Sequence, residues 1–171
     1  VGEQGIRAGV RFAHPAELEE LVSGFDPRDD PWSPARLVWA VLDLADATPP
    51  GLEPLVANLA ASPQRYANAA RVARLLGRYA QHRPDLLAAW SDAPEVDALG
   101  LGFDRWQAVL WRELHSVVPG PDPVARRAAL LAGLRDGSLG FEWPSVAVFH
   151  PRRLSLADVD FAIAQVEFAI D

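Results

Sequence analysis

Arg71, Arg74 and Arg78 recur three and four residues apart, so on a helix they fall within about 60° of one another. A row of guanidinium groups can grip phosphate bidentately and stack on bases. The same row also makes an ordinary solvated helix face, which is the blander reading. His82 and Arg83 follow directly, ahead of Pro84. Other chemistry-bearing residues are dispersed. His14, His82, His115 and His150 share no ligand spacing and there is no cysteine, so neither an i, i+4 histidine pair nor a thiolate is on hand for zinc. These histidines are expected at the surface or in turns. Ser138 lies in DGSLG, without the G-x-S-x-G elbow of a serine hydrolase. Asp158 and Asp160 stand two positions apart on an expected helix and so face away from each other. They and the Glu167/Asp171 pair read as solvating charge.

All sixteen basic residues are arginine. Phosphate-binding loops of the lysine type, Schiff-base chemistry and lysine-bearing metal-nuclease motifs are thereby excluded. A net charge of −7 argues against a free-standing DNA coater, which is normally basic. With 171 residues, half of them apolar, the chain can bury a sizeable core. No apolar run approaches the ~20 residues of a membrane span, and VGEQGIRAGV at the start lacks the character of a signal peptide. The absence of methionine reads as an interior or trimmed piece of something longer. The absence of cysteine fits a reducing cytoplasm.

The elements that must hold these residues are mostly helical. Pro15 opens a short helix that stops at Gly24, and FDPRDDPW, residues 25–32, reads as a Pro- and Asp-rich loop. Ser33-Pro34 predicts a helix start with a capping hydroxyl, followed by an apolar stripe of Leu37, Val38, Val41, Leu42 and Ala45. A further helix is expected over 52–60. Ser62-Pro63 repeats the start signal for the longest helix, running to about Gln81 with Ala69, Val72, Ala73, Leu76, Tyr79 and Ala80 inward. Pro84 opens a helix ending near Trp90. Residues 104–117 form another, with Trp106, Val109, Leu110, Leu114 and Val117 at helical spacing, and Asp122-Pro123 caps one that reaches Arg135. SVAVF (145–149) and VEFAI (166–170) read as strands flanking a helix that begins at Ser155, a parallel crossover unit whose sheet partners must lie elsewhere. Of the six tryptophans, Trp32 and Trp143 sit in Pro-bearing loops where base stacking is possible. Trp39, Trp90, Trp106 and Trp111 have apolar helical company and are expected in the core.

Five stretches, in order, carry a family likeness: GIRAGVRFAHPAEL (5–18), RYAQHRPDLLAAW (78–90), WQAVLW (106–111), the Arg126-Arg127 helix start, and SVAVFHPRRLSLADVD (145–160). Together they resemble the N-terminal region of the RecC family, the gamma subunit of exodeoxyribonuclease V. The resemblance implies a mainly α fold with a C-terminal β-α-β unit. In it, residues 1–143 are a helical insertion of an inactivated P-loop-helicase-like domain (1B-like), and residues 144–171 belong to an incomplete α/β core. It implies a non-catalytic role in a cytoplasmic bacterial complex that repairs and recombines broken DNA. The partners would be RecB-like and RecD-like helicase–nuclease subunits and single-stranded or duplex-end DNA, with ATP and Mg²⁺ belonging to those subunits and none in this chain. Carried over by position, Arg83 and Arg127 fit the lining of a single-strand channel, with Arg74, Arg78 and His82 as neighbouring DNA-contact candidates. The chain departs from the family at Arg74-Leu75-Leu76-Gly77, where acids are usual, and at His150, where glycine is usual. From a different class, a helical protein-interaction module without nucleic-acid binding fits the acidic charge equally well.

Overall fold

Proline sets the helix starts. Its missing N–H costs nothing in a first turn, where that donor has no partner, and its φ is already helical. In a computed structural model that describes residues 26–93, 95, 102 and 105–139, six α-helices follow a short 3-10 turn at Pro27–Asp29. They are α1 (Pro34–Ala47), α2 (Glu53–Ala60), α3 (Arg65–His82), α4 (Pro84–Asp92), α5 (Arg105–Val117) and α6 (Pro123–Arg135). α1, α4 and α6 each begin on the proline itself. Among the described residues the fold is helical, with no strand. The expected Pro15 helix, the β-α-β unit, the 143/144 boundary and Trp143 lie outside the described residues.

The broadest helix–helix contact joins α1 to α3. The two run antiparallel: Arg65 at the start of α3 pairs with Asp46 near the end of α1, while Gly77 sits against Pro34 at the opposite end. α3 contributes Ala69, Ala73 and Ala80 around Leu76, and α1 contributes Leu37, Val38, Val41 and Leu44. Small residues facing branched ones let the axes approach closely. α2 covers one side of this pair, α5 packs on α1 and α4, and α6 attaches through α4. Leu87, Leu110, Trp111 and Leu114 complete the interior. Each such buried side chain stabilises by roughly 1.5–3 kcal/mol.

A polar clamp fastens the loop before α1 to the start of α6. Arg126 donates from Nη1 and Nη2 to the two Asp30 carboxylate oxygens at 2.7 and 2.8 Å. Asp30 Oδ1 also accepts the Trp32 backbone N–H at 2.9 Å. The Trp32 indole N–H donates to the Gly120 carbonyl at 3.2 Å, and its ring lies 5.3 Å from Trp111 and 4.9 Å from His115. His115 stays at the surface, but its Nε2 lies 3.0 Å from Asp122 Oδ2. The other Asp122 oxygen caps α6 through the Val124 and Ala125 N–H groups.

Several expectations change. Trp32 is 2% exposed and unavailable for stacking on a base, because Asp30, Gly120 and Trp111 together provide it with a lined slot. Trp39 is 59% exposed. The buried side of α1 is formed by Leu37, Val38, Val41, Leu44 and Ala45, and position 39 falls about 100° beyond Val38, on the outside. Leu42 is half-buried, and Leu44 takes the inward place. Trp106 is half-buried, and Val117 is exposed where Val118 turns inward. Ser33 stands at the N-cap without a side-chain bond. α3 begins at Arg65 rather than at Pro63, since the Ser62 hydroxyl accepts the Gln64 N–H and holds a turn first. Asp122, by contrast, caps as expected.

Removing the clamp acid takes the carboxylate from the Arg126 fork, whose Nη1 keeps the Pro121 carbonyl at 3.3 Å, and takes the acceptor from the Trp32 N–H. Asp30→Ala is expected to cost about 2–3 kcal/mol in urea unfolding. The Asp30→Ala/Arg126→Leu double variant should lose clearly less than the sum of the two single losses, as a coupled pair requires.

Candidate nucleic-acid interface

α3 carries the basic row. Its inward face is occupied by Ala69, Ala73, Leu76 and Ala80, so the helical period sends Arg71, Arg74 and Arg78 outward. All three are exposed. Arg71 Nη1 donates to the Asn68 side-chain oxygen at 3.1 Å. Arg74 and Arg78 make no hydrogen bond or ion pair among the described residues. His82, one turn beyond Arg78, is also exposed and extends the row to the end of the helix.

Arg83 closes α3 and opens α4. Its backbone N–H donates to the Tyr79 carbonyl at 2.7 Å, while its own carbonyl accepts from Leu86 at 3.0 Å. The guanidinium folds onto Asp85: Nε lies 3.0 and 3.3 Å from the two carboxylate oxygens and Nη2 lies 2.9 Å from Oδ2. The Asp85 hydrogen bond holds the Arg83 pKa above its ordinary value, and Arg83 holds that of Asp85 below the usual carboxylate range. Both groups are exposed, so this pairing contributes little to stability. Its chemical effect is that the fork is already occupied.

Arg127 lies elsewhere. It is half-buried on α6, next to the clamp residue Arg126, on a helix whose main contact is with α4. The structure thus gathers Arg71, Arg74, Arg78 and His82 on one face, sets Arg83 at its end with a carboxylate on it, and keeps Arg127 on a separate helix. Alongside the row the periodicity missed two aromatics. Trp39 of α1 and Tyr66 of α3 meet across the outer seam with ring centroids 5.5 Å apart and planes at 55°. The position of Trp39 off the apolar stripe of α1 was the available signal. Among the described residues no group of three or more His, Asp or Glu side chains is placed to hold a metal ion. No described helix is long and apolar enough to cross a membrane.

Residues 2–159 match the family model described as RecC, N-terminal domain. The chain belongs to the RecC family. It is 35% identical over 169 residues, 91% of its length, to the RecBCD enzyme subunit RecC of Mycobacterium tuberculosis. It is 31% identical over 175 residues, 94% of its length, to the RecBCD enzyme subunit RecC of Mycolicibacterium smegmatis. The aligned region is 15% of each relative, so the chain spans a small N-terminal share of a RecC subunit. No solved structure matches it. The RecC match takes in all six described helices, the basic row of α3 included. Gly77 lies at the crossing with α1: a Cβ there would rest in ordinary contact, 3.4 Å from Pro34 Cγ.

Asp85→Asn removes the carboxylate that occupies the Arg83 fork. Single-stranded oligonucleotide affinity, read by fluorescence anisotropy, is expected to rise. The log–log salt slope should steepen by about 0.7, the value for one added phosphate contact. An unchanged slope would set Arg83 outside the interface.

Proposed function

We propose that this chain is a non-catalytic N-terminal part of a RecC-like subunit of a RecBCD-type enzyme, exodeoxyribonuclease V. There it scaffolds RecB-like and RecD-like helicase–nuclease partners and contacts single-stranded DNA at broken duplex ends during repair and recombination. In this reading residues 1–143 are a helicase 1B-like insertion and residues 144–171 belong to an inactivated helicase-like core. ATP and Mg²⁺ belong to the partner subunits, and the setting is the bacterial cytoplasm. One observation carries the DNA contact: Arg74 and Arg78 stand exposed on one helix face with no carboxylate upon them, in a chain whose net charge is −7. Other arginines are matched to acids, as Arg36 is to Asp29, Arg65 to Asp46 and Arg126 to Asp30, and Arg112 is held by the Ala93 carbonyl. A row left unmatched in an acidic chain calls for an external anion, and the phosphate backbone of a single strand supplies anions at regular intervals.

The second reading is a helical protein-interaction module without nucleic-acid binding. The Arg83–Asp85 pairing favours it, because it offsets a cation at the end of the row.

Anisotropy across a salt series separates the two. If the row meets a single strand, affinity falls steeply with salt, and Arg74→Ala and Arg78→Ala each flatten the log–log slope by about 0.7. Absence of binding at low salt would leave the interaction module as the function of this segment.

A further inference from the structure

The seam between α1 and α3 is lined on its outer side by residues that the core does not use. Trp39 is 59% exposed and Tyr66 53% exposed, although their rings lie side by side at 5.5 Å. A tilt of 55° and this degree of exposure leave ring surface open on both. Along α3 from Tyr66 come half-buried Ala70, exposed Arg74, half-buried Gly77 and exposed Arg78. By helix geometry Arg74 is about 12 Å along from Tyr66 and about 80° around the axis, and Arg78 is about 18 Å along and about 120° around, on the outer flank of the seam. The small side chains at 70 and 77 keep the seam low between the aromatic pair and the arginines.

Local charge agrees with this layout. The Arg65–Asp46 and Arg36–Asp29 pairs near the seam are self-neutralising. Asp43, one turn after Trp39, is an exposed acid on α1, set against the exposed Arg74 and Arg78 on the outer flank of α3. The cations are therefore in modest excess along this flank. An apolar protein surface would match the rings and leave the arginines unused. A purely acidic peptide would match the arginines and leave the rings unused. Unpaired nucleotides offer both a π face and a phosphate in every unit.

We propose that Trp39 and Tyr66 form a base-stacking platform which, with Arg74 and Arg78, binds a single strand along the α1/α3 seam. This rests on the single-strand contact proposed above and names the groups that meet the bases. The rings would bear on bases of any sequence, since every base has a π face, and the arginines would track the phosphates.

The test uses the full 171-residue chain with two anisotropy probes of equal length, oligothymidine and an abasic oligomer with the same phosphates. Trp39→Ala and Tyr66→Ala are expected to weaken oligothymidine binding about tenfold each, at an unchanged salt slope, and to leave abasic binding as it was. Trp39→Phe should restore most of the affinity, with circular dichroism confirming that every variant is folded. Arg74→Ala should flatten the salt slope for both probes. If Trp39→Ala and Tyr66→Ala bind oligothymidine like the wild type while Arg74→Ala still flattens the slope, the platform is refuted and the single-strand reading survives. Equal losses on both probes, or a loss that Trp39→Phe fails to restore, would also overturn the platform. If neither probe binds the wild type, both proposals fall together, and the seam is a surface for protein.

Discussion

The Asp30–Arg126 ion pair is the contact on which the arrangement of this chain depends. It joins residues 96 positions apart, and it is mostly withdrawn from water, with side-chain exposures of 12% and 24%. A pair so placed is stable only if its geometry is good and its remaining polar capacity is used. Both conditions hold: the fork is bidentate, and the same carboxylate accepts the Trp32 N–H. Trp32 then plugs the space beside Trp111 and His115, so that α1 enters the bundle at a defined point relative to α5 and α6. This closure joins the loop before α1 directly to α6.

The placement of α1 decides what α3 can display. An alanine-rich face lets α3 lie close against α1, with Gly77 admitting Pro34 at the crossing end. Most of the apolar side chains of α3 turn inward, and its outer flank is free to carry arginines. Two uses of charge result within one small fold. Arg126 is folded inward on a carboxylate and holds structure together, while Arg74 and Arg78 stand in water with none. The acidic balance of the chain sharpens this contrast.

Much of the helical layout was legible in the sequence, and the reasons are local. Pro34, Pro84 and Pro123 mark starts because a proline fits only there within a helix, and Asp122 announces its cap through the residues immediately after it. The inward face of α3 follows from period alone. The failures are instructive in the other direction. Hydrophobicity alone puts Trp39 in the core, its angular position puts it outside, and the angle is the better guide. Trp32 looked free because its surroundings in sequence are prolines and aspartates, whereas its slot is made by Gly120 and Trp111, far along the chain, which no local pattern encodes. For Arg83 the partner was in view two residues away, yet composition does not say whether a flexible fork closes on a neighbour or reaches outward. The basic row itself was legible; which of its members have partners was not.

Arg83 is at once the last cap of α3 and the first of α4. A joint of one residue, with its N–H committed to one helix and its carbonyl to the next, has no slack. The basic row and α4 must therefore move as a rigid elbow, and α4 bears on α6. A force applied to the row would load α4 and α6 directly, as a rope loads the bracket behind a pulley. Tension at the surface would in this way be felt at the Arg126 clamp.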